Sequence, residues 1–274
     1  MTHTPDSSVF SGPTGIPLLE ARGVCFTYPG AVSPVLSSAT LRLMPGDRVG
    51  LLGHNGSGKT TLFHILMGLV SPHAGEVCFK GTVLRKEKDF RTLRRAVGLL
   101  FQQADDQLFC PTVLEDVAFG PLNLGYSPDE ARETALETLS SLELHGLADR
   151  VTHRLSGGEK KLVALAAVLS MRPEALLLDE PTNDLDPATR ERLIAHINAL
   201  PVTRCVISHD WDFLEQTCGS FVTIRHGAIH ETTISPHTHR HAHMGGDARH
   251  SHAEPDAPET QGALSGKEEN VMQR

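Results

Sequence analysis

Short apolar runs alternate with polar, helix-like stretches between residues 17 and 230, a pattern typical of a mixed α/β domain. Four of the apolar runs predict buried strands. They are VGLLG at 49–53, VGLLFQ at 97–102, ALLLDEP at 175–181 and CVISHD at 205–210. EVCFKGTVL at 76–84 predicts a pair of short strands.

Capping residues and apolar spacing predict helices between these strands. TTLFHILMGL at 60–69 predicts a helix that follows a Gly-rich turn. Ser127 is expected to cap a second helix, with Pro128 in its first turn, and Asp186 with Pro187 starts a third. The apolar positions at helical spacing are Ala131, Ala135, Leu139 and Leu142 in the second helix, and Leu193, Ile194, Ile197 and Leu200 in the third.

The two ends of the chain lack this periodicity. Residues 1–16 are rich in Ser, Thr, Pro and Gly, and they predict a disordered N-terminal segment. After residue 230 the apolar pattern gives way to Pro, Gly, His and acidic residues, which predicts a His-rich disordered tail over 231–274. The sequence therefore predicts one folded domain over 17–230.

The charge balance excludes some function classes. There are 33 acidic and 25 basic residues, a net charge of -8, whereas a nucleic-acid-binding surface or direct docking on anionic lipid would call for a basic one. Nothing approaches 18 consecutive apolar residues, and the N-terminus lacks the features of a signal peptide. Five cysteines without a CxxC pair predict reduced thiols in a cytosolic protein.

A glycine-rich segment between the first predicted strand and helix matches the P-loop pattern GxxxxGK[ST]. Its residues are Gly53, His54, Asn55, Gly56, Ser57, Gly58, Lys59 and Thr60, and Thr61 is assigned to the same group. Backbone N–H groups must wrap a polyphosphate, and side chains at the glycine positions would obstruct that approach. Lys59 would neutralise phosphate charge, and Thr60 would offer a hydroxyl to Mg²⁺. The flanking strand and helix favour binding of ATP over a chance match.

Two acids end the predicted strand ALLLD. A buried strand brings such carboxylates to the carboxyl edge of a sheet, where ligands of α/β proteins bind. Asp179 would hold Mg²⁺, usually through water, and Glu180 would polarise or deprotonate an attacking water molecule. Taken alone, the same pair could be solvated acids at a strand end.

The segment Leu155-Ser156-Gly157-Gly158-Glu159 precedes this pair by about twenty residues. Ser156 and Glu159 have the spacing of a capping box that opens a helix. A Gly-rich helix N-terminus is also an anion site, so the two interpretations are compatible.

The order P-loop, LSGGE, LLLDEP and ISHD resembles the ATP-binding cassette (ABC) ATPases over residues 17–230. The resemblance implies a P-loop NTPase core with an antiparallel β subdomain and a helical subdomain inserted at about 104–165. It also implies that two chains pair head-to-tail. Each ATP would then lie between one chain's P-loop and the other chain's Ser156, Gly157 and Gly158.

The resemblance implies roles for four further positions. Tyr28 looks like the aromatic that stacks on adenine, although it could be a strand-end aromatic. Gln102 looks like the Q-loop glutamine that senses Mg²⁺, with Gln103 adjacent and open to confusion with it. His209 looks like the switch histidine that contacts the γ-phosphate. Residues 183–186 look like the D-loop at the dimer interface, while Asp186 also suits a helix cap.

Two positions depart from the family pattern. Glu159 stands where Gln is commonest, and Leu162 stands where many members carry Arg. An acidic residue suits a helix N-terminus. The departures bear on the strength of dimer closure and not on the activity.

The stretch FQQADDQLFCPTVLEDVAFGPLNLG at 101–125 resembles the energy-coupling-factor and cobalt/nickel importers. The match covers Asp105 to Phe109, with Ala104 where Pro is usual. This resemblance implies a peripheral ATPase at the cytoplasmic face of the cell membrane. Its partners would be a transmembrane permease subunit, a substrate-specific component and a second ATPase subunit, identical or a paralogue. Such importers carry vitamins or transition-metal ions.

The histidines of the tail bear on the substrate. His237, His239, His241 and His243 alternate with other residues, and they are candidate ligands for a transition metal. They favour nickel or cobalt over a vitamin, but a polar linker that binds metal incidentally has the same composition. A nickel-insertion GTPase would need an NKxD motif, which is absent, and a metal store would leave the ATPase motifs without purpose.

Overall fold

The computed structural model describes residues 15–232 and the backbone of two short paired strands, Thr238–His239 and His250–Ser251. The chain divides into two units, 1–234 and 235–274. Of the histidines predicted as metal ligands, His237, His241 and His243 lie outside the described residues, and so does the side chain of His239.

Residues 15–232 form ten strands and seven α-helices. The strands are β1 Leu19–Phe26, β2 Leu36–Leu43, β3 Arg48–Leu52, β4 Ala74–Phe79, β5 Thr82–Leu84, β6 Val97–Leu100, β7 Ala175–Asp179, β8 Thr203–Ile207, β9 Ser220–Arg225 and β10 Ala228–Glu231. The helices are α1 Lys59–Leu66, α2 Glu87–Ala96, α3 Val113–Leu124, α4 Pro128–Ser141, α5 Gly157–Leu169, α6 Pro187–Ala199 and α7 Trp211–Thr217.

Two sheets organise these elements. A six-stranded sheet has the order β10-β9-β3-β8-β7-β6, parallel except for β10, which pairs antiparallel with β9. A four-stranded antiparallel sheet has the order β2-β1-β4-β5. The helices α3 and α4 and the start of α5 fall within the predicted helical insertion at about 104–165. The predicted fold class, an α/β ABC-type core with an antiparallel β subdomain, is confirmed.

Several elements end earlier than the sequence predicts. The first helix stops at Leu66 instead of continuing to residue 69, because Gly68 takes a left-handed backbone with φ of 69°. The strand predicted at 97–102 ends at Leu100, and the strand predicted at 205–210 ends at Ile207. Gln102 and His209 therefore lie in loops beyond the carboxyl edge of the sheet.

Strand β7 separates two hydrophobic cores. Ala175 and Leu177 pack into the core shared with the antiparallel sheet and α1, whereas Leu176 and Leu178 pack into the core shared with the helical part. All four are fully buried, as expected for a strand in the middle of a parallel sheet. This strand ends at Asp179, so both cores fix where that carboxylate emerges.

Capping residues fix the starts of the helices. Ser127 and Glu130 form a capping box at α4, which confirms the predicted N-cap, and Thr112 with Glu115 forms another at α3. Oδ1 of Asp186 accepts from the backbone N–H groups of Ala188 and Thr189 in the first turn of α6, so Asp186 caps this helix as predicted.

Arg204 is a fully buried cation at the ends of two helices. Its guanidinium donates to the carbonyl oxygens of Ile197 near the end of α6 and of Thr217 at the end of α7, at 2.8–3.0 Å. It also donates to Oδ1 of Asn198 at 3.1 Å. A cation is favourable at these carbonyl-rich ends because of the helix dipole.

Candidate active site

A cavity of about 610 Å³ opens at the carboxyl ends of β3, β7 and β8. Its size suits a small-molecule ligand. Most of the residues predicted from the motifs line it. They are Tyr28, Asn55, Gly56, Ser57, Gly58, Lys59, Thr60, Thr61, Gln102, Asp179, Glu180 and His209, together with Val35, Asn183 and Ile207. Motifs that are distant in sequence therefore meet in one place.

Local backbone conformation and packing require glycine at two positions of the P-loop. Gly58 adopts φ of 101°, and a Cβ built there would lie 2.8 Å from Cγ1 of Val35. Gly56 has φ of 78° with open space around it, so the left-handed backbone alone favours glycine there. Glycine at these positions therefore leaves room for a polyphosphate, as the sequence predicts, and also satisfies the backbone conformation and the packing of the loop itself.

Lys59 places a buried ammonium at the start of α1. It is 7% exposed, and its Nζ donates to the carbonyl oxygen of Gly53 at 2.7 Å and of His54 at 3.1 Å. Gly53 and His54 thus hold the ammonium group of Lys59 through their carbonyl oxygens, and they do not line the cavity. Burial lowers the pKa of Lys59, an effect opposed by Glu180 and Asp179. The two carbonyl oxygens are neutral, and a polyphosphate would provide the ammonium group of Lys59 with a direct anionic partner.

Two buried oxygen atoms in the site have no hydrogen-bond partner among the described residues, Oγ of Ser57 and Oδ1 of Asp179. Asp179 is 3% exposed, and burial raises its pKa, against a hydrogen bond with Thr60 that lowers it. Carboxylate, hydroxyl and amide oxygens are suitable ligands for Mg²⁺. The side chains of Thr60, Asp179 and Gln102 therefore fit the predicted magnesium site.

Glu180 lies directly after β7 in a strained conformation. It has φ of 47°, a region that costs a residue with a side chain about 1–3 kcal/mol. Its Oε2 accepts from the backbone N–H of His209 at 3.2 Å, and Nε2 of His209 lies 3.4 Å from Oε1. Glu180 is 4% exposed, and burial raises its pKa, which makes the carboxylate a better base.

Tyr28 forms one wall of the cavity. Its hydroxyl hydrogen-bonds to Oγ1 of Thr61 at 2.9 Å, and its ring packs edge-to-face on Phe26 with centroids 4.9 Å apart. The side chain is still 43% exposed, so one part of the ring is accessible. This arrangement suits a platform on which a flat base can stack.

The loop after β6 distinguishes Gln102 from Gln103. Gln102 lines the cavity, whereas Gln103 precedes a short 3-10 turn at Ala104–Asp106 and does not line it. The backbone oxygen of Gln102 accepts from Nζ of Lys161, a residue that motif analysis missed. Its only sequence signal is a second lysine among the apolar residues of α5.

Ser156, Gly157 and Gly158 do not line the cavity. They lie at the N-terminus of α5, where the backbone N–H of Ser156 donates to Oε2 of Glu159 at 2.8 Å and completes the expected capping box. These hydrogen bonds lower the pKa of Glu159. Leu162, the other departure from the family pattern, is buried among the helices.

The backbone at Phe109 and Cys110 is hydrogen-bonded to helix α3. Asp116 is 4% exposed, and its Oδ1 accepts from the backbone N–H of Phe109 and of Cys110 at 2.9–3.0 Å. Phe109 itself is 66% exposed and packs edge-to-face on Phe119, which is 44% exposed. Leu122, one helical turn further along α3, is 44% exposed. Motif analysis did not assign Asp116, whose partners become visible only in the fold.

Within residues 15–232, no helix is both long and apolar enough to cross a membrane. In the same part of the chain, no group of three or more His, Cys, Asp or Glu residues has a metal-binding arrangement.

Comparisons with known proteins agree with this geometry. Residues 36–183 match the family model described as ABC transporter. A protein of Nitratidesulfovibrio vulgaris named as an ABC transporter ATP-binding protein is 62% identical, over 87% of this chain and 88% of its own. The energy-coupling factor transporter ATP-binding protein EcfA of Methanothermobacter thermautotrophicus is 41% identical, over 77% and 69%. The cobalt import ATP-binding protein CbiO of Rhodobacter capsulatus is 42% identical, over 78% and 77%.

Solved structures of ATP-binding cassettes are also similar to the chain. CbiO1 of Clostridium perfringens, part of the transporter complex CbiONQ, aligns with a TM-score of 0.69 and 32% identity, over 78% of this chain and 86% of its own. A dimeric ATP-binding cassette in a post-hydrolysis state with ADP and Pi aligns with a TM-score of 0.71 and 28% identity, over 77% and 96%. The chain therefore belongs to the ABC transporter family, as an ATPase subunit that couples ATP hydrolysis to transport.

Proposed function

We propose that the chain powers a membrane importer of cobalt or nickel ions as one of two ATPase subunits paired head-to-tail. The head-to-tail pairing is supported by the distance of the Ser156–Gly158 segment from the cavity that the other motifs line. Ser156 and Gly157 are exposed and lie outside the cavity that the other motif residues line. A second chain that presents its own Ser156–Gly158 would complete that cavity, and a related cassette has been solved as a dimer.

Within each site, the side chains have separate roles in hydrolysis. Tyr28 stacks on adenine, and Lys59 with the P-loop N–H groups holds the phosphates. Thr60, Gln102 and Asp179 would hold Mg²⁺, which would neutralise phosphate charge when bound. Glu180 takes the proton of the attacking water, and His209 contacts the γ-phosphate.

The exposed apolar patch formed by Phe109, Phe119 and Leu122 is the proposed contact with a transmembrane permease subunit. Its three members account for much of the exposed apolar surface of the helical part. Asp116 accepts from the backbone N–H of Phe109, and the side chain of Gln107, two residues earlier, accepts from the backbone N–H of Phe101. These hydrogen bonds hold the backbone at Phe109 before a partner binds. Docking there would hold the chain at the cytoplasmic face of the membrane, with a substrate-specific component completing the importer.

Two observations favour a transition-metal ion as the substrate. The 101–125 stretch resembles the cobalt and nickel importers, and CbiO of R. capsulatus is named for cobalt import. The histidines at 237–243 supply the matching ligand chemistry. A vitamin importer is the second candidate, because EcfA of M. thermautotrophicus is similar to the chain to the same extent.

Purification of the tagged chain from membranes, followed by identification of the co-purifying proteins, tests the importer assignment. A permease of the energy-coupling or cobalt type is the expected partner. Phe119→Asp should abolish co-purification, while Ile16→Asp, at a 68% exposed position just before β1 and outside the helical part, should not. Recovery of both variants with an unrelated protein, or with none, would contradict the assignment.

Deletion of residues 235–274 tests the metal-ion proposal. ATPase activity should persist because every assigned catalytic residue precedes the deletion. Titration calorimetry should show Ni²⁺ binding by the full chain, weakening as pH falls through about 6.5, where imidazole protonates. Equal Ni²⁺ binding by both proteins, or equal uptake at every metal concentration, would leave the tail without a role in transport.

A further inference from the structure

Lys161 is a buried cation to which ATP hydrolysis assigns no role. It is 4% exposed, and its Nζ donates to the carbonyl oxygen of Gln102 at 2.6 Å and lies 3.4 Å from that of Phe101. Burial lowers the pKa of Lys161, and the nearby Asp179 opposes this effect. Because burying an ammonium costs free energy, its partners must compensate for that cost.

A second side chain joins the same two elements. Oε1 of Gln107 accepts from the backbone N–H of Phe101 at 3.2 Å, and Nε2 donates to the carbonyl oxygen of Ala164 at 2.9 Å. The start of the loop after β6 is thus bonded to α5 from both sides. The neighbouring Lys160 differs, because it pairs at 2.6 Å with Asp105, which is 74% exposed. Solvent screens such a pair, and it contributes little.

The position of Lys161 along α5 places it between two functional segments. Gln102 lines the nucleotide cavity, and Ser156 caps the same helix that carries Lys161. Lys161 lies five positions after Ser156, which corresponds to about 7.5 Å at the standard helical rise. Over so short a distance an α-helix moves as a unit, so a displacement at Lys161 is passed to Ser156–Gly158.

We propose that Lys161 is a positioning residue that couples the position of Gln102 in one chain to the orientation of the Ser156–Gly158 segment that this chain presents to its partner. The inference rests on the proposed head-to-tail dimer. Lys161 does not line the cavity, so its effect falls on closure of the dimer and not on binding of ATP by a single chain. The coupling is reciprocal, since engagement of Ser156–Gly158 by the partner also biases Gln102.

The experiment uses the full chain with Glu180→Gln, which is expected to bind ATP without hydrolysing it. In this parent we compare Lys161→Met, which removes the donor, with Lys161→Gln, which keeps a shorter neutral donor, and with Lys160→Met as the matched control. Sedimentation in Mg-ATP measures dimerisation, nucleotide titration at low protein concentration measures ATP affinity, and thermal unfolding checks folding.

Lys161→Met should raise the protein concentration needed for half-dimerisation about tenfold, with ATP affinity of the single chain unchanged within about twofold. Lys161→Gln should weaken dimerisation by a smaller factor, about threefold. Lys160→Met should stay within about twofold of the parent in both measurements.

Parent-like dimerisation of both Lys161 variants would overturn the inference, and so would an equal loss of ATP affinity and of dimerisation. If Lys161→Met does not fold, Lys161→Gln decides by the same criteria. An equal effect of Lys160→Met would assign the coupling to helix charge instead of Lys161. A parent that stays monomeric in Mg-ATP would overturn the proposed dimer itself, an outcome distinct from the others.

Discussion

Replacing Glu180 by Gln isolates the role of one proton acceptor. Gln has nearly the same shape, and its Oε1 can still accept from the backbone N–H of His209, which lies 3.2 Å from the carboxylate in the structure. The pKa of Glu180 is raised by burial, so the folded protein holds the proton more tightly than the unfolded chain does. Glu180 therefore stabilises the fold at a pH below its pKa in the unfolded chain. This contribution is lost as pH rises through its higher pKa in the folded protein. At neutral pH the neutral amide avoids this loss, and the variant should be no less stable than the parent.

Removal of a general base lowers the rate about 10²–10⁴-fold, which corresponds to roughly 3–5 kcal/mol in the barrier. Phosphate release at saturating Mg-ATP measures this loss, and nucleotide titration should show ATP affinity unchanged. Parent activity should fall as pH drops through the raised pKa of Glu180, whereas the residual activity of the variant should not show that limb. Glu174→Gln is the control, because Glu174 precedes the same strand and is exposed beside Lys80. Turnover by Glu180→Gln within about tenfold of the parent would refute the assignment of the base.

Three further changes test other parts of the site and fold. Lys59→Ala should abolish ATP turnover, because the phosphates lose their main cation, and near-normal activity in a phosphate-release assay would contradict the P-loop assignment. Tyr28→Ala should raise the KM for ATP several-fold, since base stacking contributes about 1–3 kcal/mol, while Tyr28→Phe should retain most of the affinity because it keeps the ring. An unchanged KM in the alanine variant would place the adenine platform elsewhere. Arg204→Met should lower the free energy of unfolding in urea by about 3 kcal/mol, because buried carbonyl oxygens lose their donors, and Arg48→Met at an exposed position should change it little.

Local motifs made much of the site predictable. The P-loop, the acids after β7 and His209 each depend on a few consecutive residues, and a strand or helix boundary places them. The α/β class followed from the same alternation of elements. Prediction of strand ends was less accurate, because the strands predicted to end at residues 102 and 210 end at Leu100 and Ile207. Phe101 continues the apolar run past β6, whereas the polar residues 208–210 already belong to the loop after β8.

Residues whose partners are distant in sequence could not be predicted in this way. Lys161 meets the carbonyl of Gln102 across 59 positions, and Asp116 meets Thr152 across 36. Arg204 resembles any charged residue beside a strand, yet it is fully buried against the ends of two helices. Each becomes interpretable only when the fold brings its acceptors or donors together.

The alternation of β7 between two cores limits how this chain can change in length. Because successive residues face opposite sides, adding or removing one residue within 175–178 would exchange the side chains that face each core. The same change would turn Asp179 away from the cavity that it now lines together with Thr60. Point substitutions between apolar residues would preserve both arrangements. Chains that descend from a common ancestor with this one and keep the site should therefore differ in the residues of β7 but not in their number.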